Sequence, residues 1–331
     1  MSLDSFIGNR KIVDRIRAKL REARFPHALI FSGPEGVGKR TCAMMVAKAL
    51  NCQNSAADDF CGTCASCRKI DAGTHPDVTK LGVEEEASEI KIAQVREILR
   101  TLDLRPLEGR NKIYIIDPAD KMNPSAANAL LKGLEEPPEN SYFILITVNA
   151  QELLTTVRSR CQLYNFTPLT LAEIRDHGVT DDLIARWSQG SIGRARSLDV
   201  VRLKREREMV LDFAEVALTA KEEQFQELLG VSAEVGRAKQ EFEERMQILG
   251  IVVADLLYLK EGTPEKIVNV DIVEDLKTLG ARVSVERLVA VADFLRFIES
   301  SLKNYVNRQM LTDMLALTAN ENASAMLGNE G

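Results

Sequence analysis

Three short runs of the chain have a continuous apolar centre: "ALIFSG" from Ala28, "NKIYIID" from Asn111 and "SYFILITVNA" from Ser141. Strands that read this way are buried on both faces, as in a parallel sheet. Between and around them the period becomes helical. The opening predicts a helix over Asn9–Ala23, and "KRTCAMMVAKALNC" a helix from Lys39. "EIKIAQVREILRTLDL" sets Ile90, Ile92, Val95, Ile98 and Leu99 on one helical face, and "NPSAANALLKGLEEPP", from Asn123, is a helix stopped by two prolines. Strands alternating with helices predict an α/β domain over residues 1–166, its parallel sheet covered on both sides. From "TPLTLAEIRDHG" onward the strand signals fade, predicting a small helical unit over 167–205 and a helical bundle over 206–331. That bundle has a break at "KEGTPEK" and stripes that include Phe213, Val216 and Ala217, then Leu288, Val289, Val291, Ala292 and Phe294. The tail "TANENASAMLGNEG" is expected to fray.

Composition narrows the class. At 331 residues the chain exceeds one usual core, and 28% charged, 45% hydrophobic and 5% aromatic residues suit a helix-rich soluble protein. A net charge of −6 argues against a globally basic nucleic-acid binder. No apolar run approaches the roughly 20 residues that span a bilayer, and the start is amphipathic and charged, so no membrane partner and a cytoplasmic location are expected.

The first candidate chemistry is "GPEGVGK", between an apolar run and a helix. Gly33, Gly36 and Gly38 let backbone N–H groups turn toward phosphates, Lys39 reaches the outer ones, and the helix start adds its dipole. A hydrolysing loop follows its lysine with Ser or Thr to hold magnesium. Arg40 stands there instead, and Thr41 is rotated by about 100° from the required position. The strand "IYIID" ends at Asp117, the metal-associated acid, but Pro118 follows and offers neither acceptor nor base, while Asp120 reads as a helix-starting acid. ATP or ADP binding is compatible with this pattern; magnesium binding and hydrolysis are disfavoured. Thr147 and Asn149, after the third strand, are candidates to sense a γ-phosphate. In "TTVRSRCQ" the guanidinium of Arg160 suits bidentate phosphate contact, and in "GSIGRARSL" Arg194 or Arg196 starts a basic face, with Arg194 taken as the nucleotide-side residue.

Four of six cysteines form a C-x8-C-x2-C-x2-C run, Cys52, Cys61, Cys64 and Cys67. In a reducing compartment such a cluster binds metal more often than it forms disulfides. Four thiolates close a tetrahedral zinc shell and leave no position for substrate, which makes the site structural. His75 is a spare ligand better read as part of the "HPD" turn.

Taken in order, "RFPHALIFSGPEGVGK", the cysteine module, "HPDV", "ANALLKGLEEPP", "RSRCQ" and "GSIGRA" resemble the clamp-loader branch of the AAA+ ATPases, in bacterial DNA polymerase III. The resemblance covers nearly the whole chain. It implies an AAA+ nucleotide-binding domain with an inserted zinc module at 52–67, a helical lid at 167–205, and an all-α collar at 206–331 that mediates oligomerisation, with Asn304 and Asn307 in its last helices. It also implies a hetero-pentameric loader containing gamma or tau motor subunits and a delta subunit, acting on a sliding clamp and primed DNA. In that family the SRC arginine acts in trans on a neighbour's nucleotide, a role that falls to Arg160. Arg40 and Pro118 match the family's poorly hydrolysing stator rather than its motors. The competing expectations are a hydrolysing gamma/tau-type motor, and a zinc-dependent DNA-binding module; "NSAADDFCGTCASCRK" has little basic or aromatic surface for the latter.

Overall fold

Strands form where the apolar runs lie, and two less apolar segments join them. In the computed structural model, which describes residues 2–22, 24–54, 58–85, 87–220, 224–237, 241–301 and 307–320, the strands are β1 (Ala28–Ser32), β2 (Val78–Leu81), β3 (Lys112–Ile116), β4 (Ser141–Thr147) and β5 (Gln162–Asn165). The expectations for Asn304 and for the tail beyond Asn320 lie outside the described residues. All strand pairs are parallel, in the order β2-β3-β4-β1-β5. The sequence reading missed β2 and β5, which are the two edges. Each exposes half or more of its residues, so neither shows the continuous apolar run of a central strand.

The described chain divides into two compact units, 1–180 with 188–196, and 181–187 with 197–331. The segment 167–205, expected as a lid of its own, is shared between them. In the first unit the helices are α1 (Arg10–Arg21), α2 (Lys39–Asn51), α3 (Ala65–Ala72), α4 (Ile92–Leu102), α5 (Pro124–Glu135), α6 (Thr155–Arg158) and α7 (Leu171–Asp176); α8 (Asp182–Trp187) belongs to the second unit, and α9 (Ile192–Ser197) lies almost wholly in the first. Strand residues alternate between two cores. Leu29, Phe31, Ile113, Ile115, Ile144 and Ile146 face α1, α2 and α3. Ala28, Ile30, Tyr114, Ile116, Phe143 and Leu145 face α4, α5 and α6. A sheet buried on both faces explains why its middle strands carry no polar alternation. Ile90, expected on α4, precedes that helix in a bridge to Met122, and the buried face of α4 is Val95, Ile98 and Leu102.

The second unit is helical: α8, α10 (Val200–Thr219), α11 (Phe225–Arg237), α12 (Phe242–Glu261), α13 (Val273–Ala281), α14 (Val285–Ser301) and α15 (Arg308–Ala319). Helix α12 is apolar on most of its circumference and buries Ile248, Leu249, Val252, Val253 and Leu256 among its neighbours. Val289, assigned by periodicity to the packed stripe of α14, is instead exposed. Two polar groups are built into this core. Arg245 Nε meets Glu206 Oε2 at 2.9 Å, and buried Asp255 accepts from the Val268 and Asn269 N–H groups at 2.8 and 2.9 Å, closing the turn after α12. Among the described residues no helix is long and apolar enough to cross a membrane.

Candidate functional site

At the carboxyl ends of β1, β3 and β4, where the strand order reverses, a cavity of about 470 Å³ opens. Its walls include Gly36, Gly38, Lys39, Arg40, Asp117 and Arg196. The glycines are required by geometry. Gly36 and Gly38 hold φ of 70° and 98°, and a Cβ on Gly36 would lie 2.1 Å from Ser191 Oγ. The loop is thus clasped by the start of α9, whose Gly193 N–H donates to the Gly36 carbonyl at 3.2 Å. Lys39 is buried and its ammonium donates back to the Gly33 and Pro34 carbonyls, the latter at 2.6 Å. Burial pushes its pKa below the ordinary lysine value, against the opposing pull of Asp117, Glu35 and Asp120.

Arg40 does more than displace a hydroxyl. Its Nε donates to Asp117 Oδ2 at 2.6 Å, so the acid that would hold magnesium carries a guanidinium instead. Thr41 lines the same wall from one residue further along α2. Thr147 also lines the cavity, with its hydroxyl used locally: it donates to the Asn149 carbonyl at 3.1 Å and accepts from the Asn149 N–H at 3.2 Å. Gly33 is not in the wall; its N–H faces the Thr147 and Val148 carbonyls and fixes the turn out of β1. Arg196, rather than Arg194, borders the cavity, and Arg194 Nη1 reaches Gln189 Oε1 at 3.0 Å. Two residues apart on a helix is a rotation of about 200°, so only one of the two can face the cavity. The donor set does not fit magnesium: the hydroxyl ligand is absent at position 40 and the carboxylate already has a cation.

Arg160 lies between α6 and β5. Its Nη1 donates to the Thr156 carbonyl at 2.9 Å and its Nη2 meets Glu135 Oε1, at the end of α5, at 2.5 Å. The side chain is 34% exposed, held at the surface by Glu135. Nothing in "GLEEPP" marks Glu135 as that partner; only the tertiary contact does.

The cysteines converge as their spacing predicts. The four Sγ atoms of Cys52, Cys61, Cys64 and Cys67 lie within 4.8 Å of one another, with Cys52 to Cys61 at 3.5 Å and Cys52 to Cys64 at 4.0 Å. Ligands on tetrahedral zinc with 2.3 Å bonds stand about 3.8 Å apart, so this chain's residues fit that ion. At Cys61 the local backbone favours the anionic form. Cys61 Sγ accepts N–H bonds from Thr63 and Cys64, and the Thr63 N–H leads in drawing its pKa down to about 6. Cys52, Cys64 and Cys67 are buried in one core with Phe60 and Ile70, which ties the knot to α2 and α3. His75 is no ligand here. Its Nδ1 accepts from the Asp77 N–H at 3.1 Å, leaving Nε2–H for Ser66 Oγ at 3.1 Å. Asp77 in turn accepts the N–H groups of Leu107, Glu108 and Gly109 at 2.7, 2.8 and 2.7 Å.

Comparison with known proteins matches residues 8–170 to the family described as DNA polymerase III, delta subunit, and residues 203–319 to DNA polymerase III, delta subunit, C terminal. The chain is 28% identical to the DNA polymerase III subunit delta' of Bacillus subtilis over 94% of its own length and 96% of that protein's. It is 42% identical to the delta' subunit of Pseudomonas aeruginosa over 42% of each chain. To the tau subunit of Escherichia coli it is 34% identical over 58% of this chain and 31% of tau, so it spans less than a third of that relative.

Proposed function

Because the chain belongs to the DNA polymerase III delta' family, we propose that it is a clamp-loader subunit that holds nucleotide without turning it over and lends Arg160 to a neighbouring subunit's ATP. The observation that carries this reading is the Arg40 to Asp117 ion pair at 2.6 Å, followed in sequence by Pro118. Hydrolysis in loops of this type needs a metal held by a hydroxyl and an acid, and a second group to orient water. Here the acid is engaged by a guanidinium and the next residue has no side-chain acceptor. The glycine loop, Lys39 and the cavity remain, which supports binding. Arg160, on the surface of the same unit, supports a role toward another subunit, where a charged fork can meet phosphate oxygens.

The partners in this reading are gamma or tau motor chains and a delta subunit, with a sliding clamp and primed DNA reached through the assembly. Zinc, held by Cys52, Cys61, Cys64 and Cys67, supplies a structural cross-link between α2 and α3. Burial of three of these cysteines in the unit's own core favours that role over a DNA-reading surface.

The deciding experiment is ATP turnover by a loader reconstituted from motor chain, delta and this protein, with clamp and primed DNA. Arg160→Ala is expected to cut turnover steeply while leaving assembly intact. Unchanged turnover, or robust hydrolysis by the isolated chain that Lys39→Ala abolishes, overturns the proposal.

A further inference from the structure

The misfit of magnesium points further than a lost activity. Arg40 anchors its guanidinium through Nε alone, on Asp117 Oδ2 at 2.6 Å, and among the described residues its Nη1 and Nη2 atoms take no protein partner. The side chain is 72% exposed and lies on the cavity wall beside Lys39 and the uncapped start of α2. In a metal-dependent site a dication bridges the acid to the phosphates. Here a guanidinium already touches the acid, with a fork of four N–H groups left over, the geometry that receives phosphate oxygens in pairs. The charged side chains of the wall are Lys39, Arg40 and Arg196 against Glu35 and Asp117. The wall is therefore net positive with no metal present, and a dication placed at Asp117 would stand against Arg40.

We infer that Arg40 is a built-in replacement for the metal, and that this site binds nucleoside di- and triphosphates with an affinity independent of divalent cations. The inference rests on the nucleotide-holding part of the function proposed above and deepens it: the ligand is the free nucleotide rather than its magnesium complex. Asp117 acts as a positioning residue that holds Arg40 in place. A site of this kind keeps its nucleotide when the metal dissociates, unlike a motor site whose hold depends on it.

The test is calorimetric binding of ADP and ATP to the full-length, zinc-loaded chain, in buffer stripped of divalent ions by resin and then with millimolar magnesium restored. Added chelator is avoided because it would attack the cysteine site. Equal affinity in the two buffers, within about threefold, is the expected result, and an affinity that rises about tenfold or more with magnesium overturns the inference. Arg40→Thr, at an exposed helix position, is checked for folding by circular dichroism. It should lose most of the metal-free affinity and make the remainder magnesium-dependent; wild-type binding in the stripped buffer by this variant also overturns the inference. If neither nucleotide binds in either buffer, the inference fails while the arginine-donor role, read separately from Arg160→Ala in the assembled loader, still stands or falls on its own result.

Discussion

Glu135→Gln is the sharpest probe of how Arg160 is used. In the structure Arg160 is paired with Glu135 at 2.5 Å, and the two side chains are 34% and 47% exposed. A pair this open to solvent is worth about 0.2–1 kcal/mol. An arginine that serves a neighbour has to leave that pair, so Glu135 acts as a tether whose release costs at most about 1 kcal/mol, or about fivefold in an equilibrium. The benefit of an arginine at a phosphoryl-transfer centre is roughly 10³–10⁵ in rate. The two substitutions should therefore move turnover of the reconstituted loader in opposite directions. Arg160→Ala falls by orders of magnitude, and Glu135→Gln rises by up to about fivefold. Thermal melting of the isolated chain should shift by no more than about 4 °C for either, as the loss of one exposed pair from a unit of this size requires. A Glu135→Gln loader that loses turnover in parallel with Arg160→Ala, at unchanged melting temperature, refutes the tether argument and makes Glu135 a positioning partner.

Zinc analysis of the purified chain should give one equivalent, and Cys61→Ser should lower it and the melting temperature together, since closure of a structural zinc site is coupled to folding. Asp77→Ala strips the acceptor from three backbone N–H groups and should cost about 3–5 kcal/mol in denaturant unfolding. For wild-type Asp77, burial raises the pKa but the three donors outweigh it, leaving the carboxyl below its usual 3.8. Its pH-dependent contribution is then complete above that value and is lost as pH falls through the depressed folded pKa, so acid titration should narrow the difference between wild type and Asp77→Ala, while the protonated carboxyl still accepts N–H bonds. In the helical unit, Arg245→Met leaves Glu206 buried with only the exposed Arg205 beside it, and should destabilise by about 3 kcal/mol; adding Glu206→Leu should restore most of that in a double-mutant cycle.

How far sequence reading reached depended on how local each determinant is. β1, β3 and β4 were legible because a strand buried on both faces must be apolar throughout, and α5 because Asn123 caps it, Pro124 opens it and prolines close it. β2 and β5 were not, since an edge strand needs only one or two buried residues and "VTKL" or "QLYN" carries no more than that. Ile90 illustrates the limit of periodicity. It fits the helical face of α4 by spacing, yet is spent on a bridge to Met122, a partner 32 residues away that no local pattern announces. The cysteine site sits at the other extreme. Its four thiols come from one short stretch and need only a tight loop, so spacing alone anticipated that they converge.

Arg40 shows what a motif leaves unsaid about the partner of one of its residues. From sequence it is a subtraction, a missing hydroxyl after Lys39. Its partner Asp117 lies 77 positions on, at the end of a strand separated by β4 from the one that feeds the loop, so their contact follows from the sheet order rather than from either motif. Once they are joined, the two departures from a hydrolysing pattern no longer count as independent losses. On the inference drawn above, a guanidinium on Asp117 takes the metal's place, and without a metal to bridge the β- and γ-phosphate oxygens a base at position 118 would have no transfer to assist, so proline there carries no catalytic penalty. The same pair leaves the phosphate-facing donors in place. On the function proposed above, loss of hydrolysis and retention of a nucleotide cradle both follow from a single charge placement, and a variant that restores the hydroxyl alone should recover metal affinity without recovering turnover.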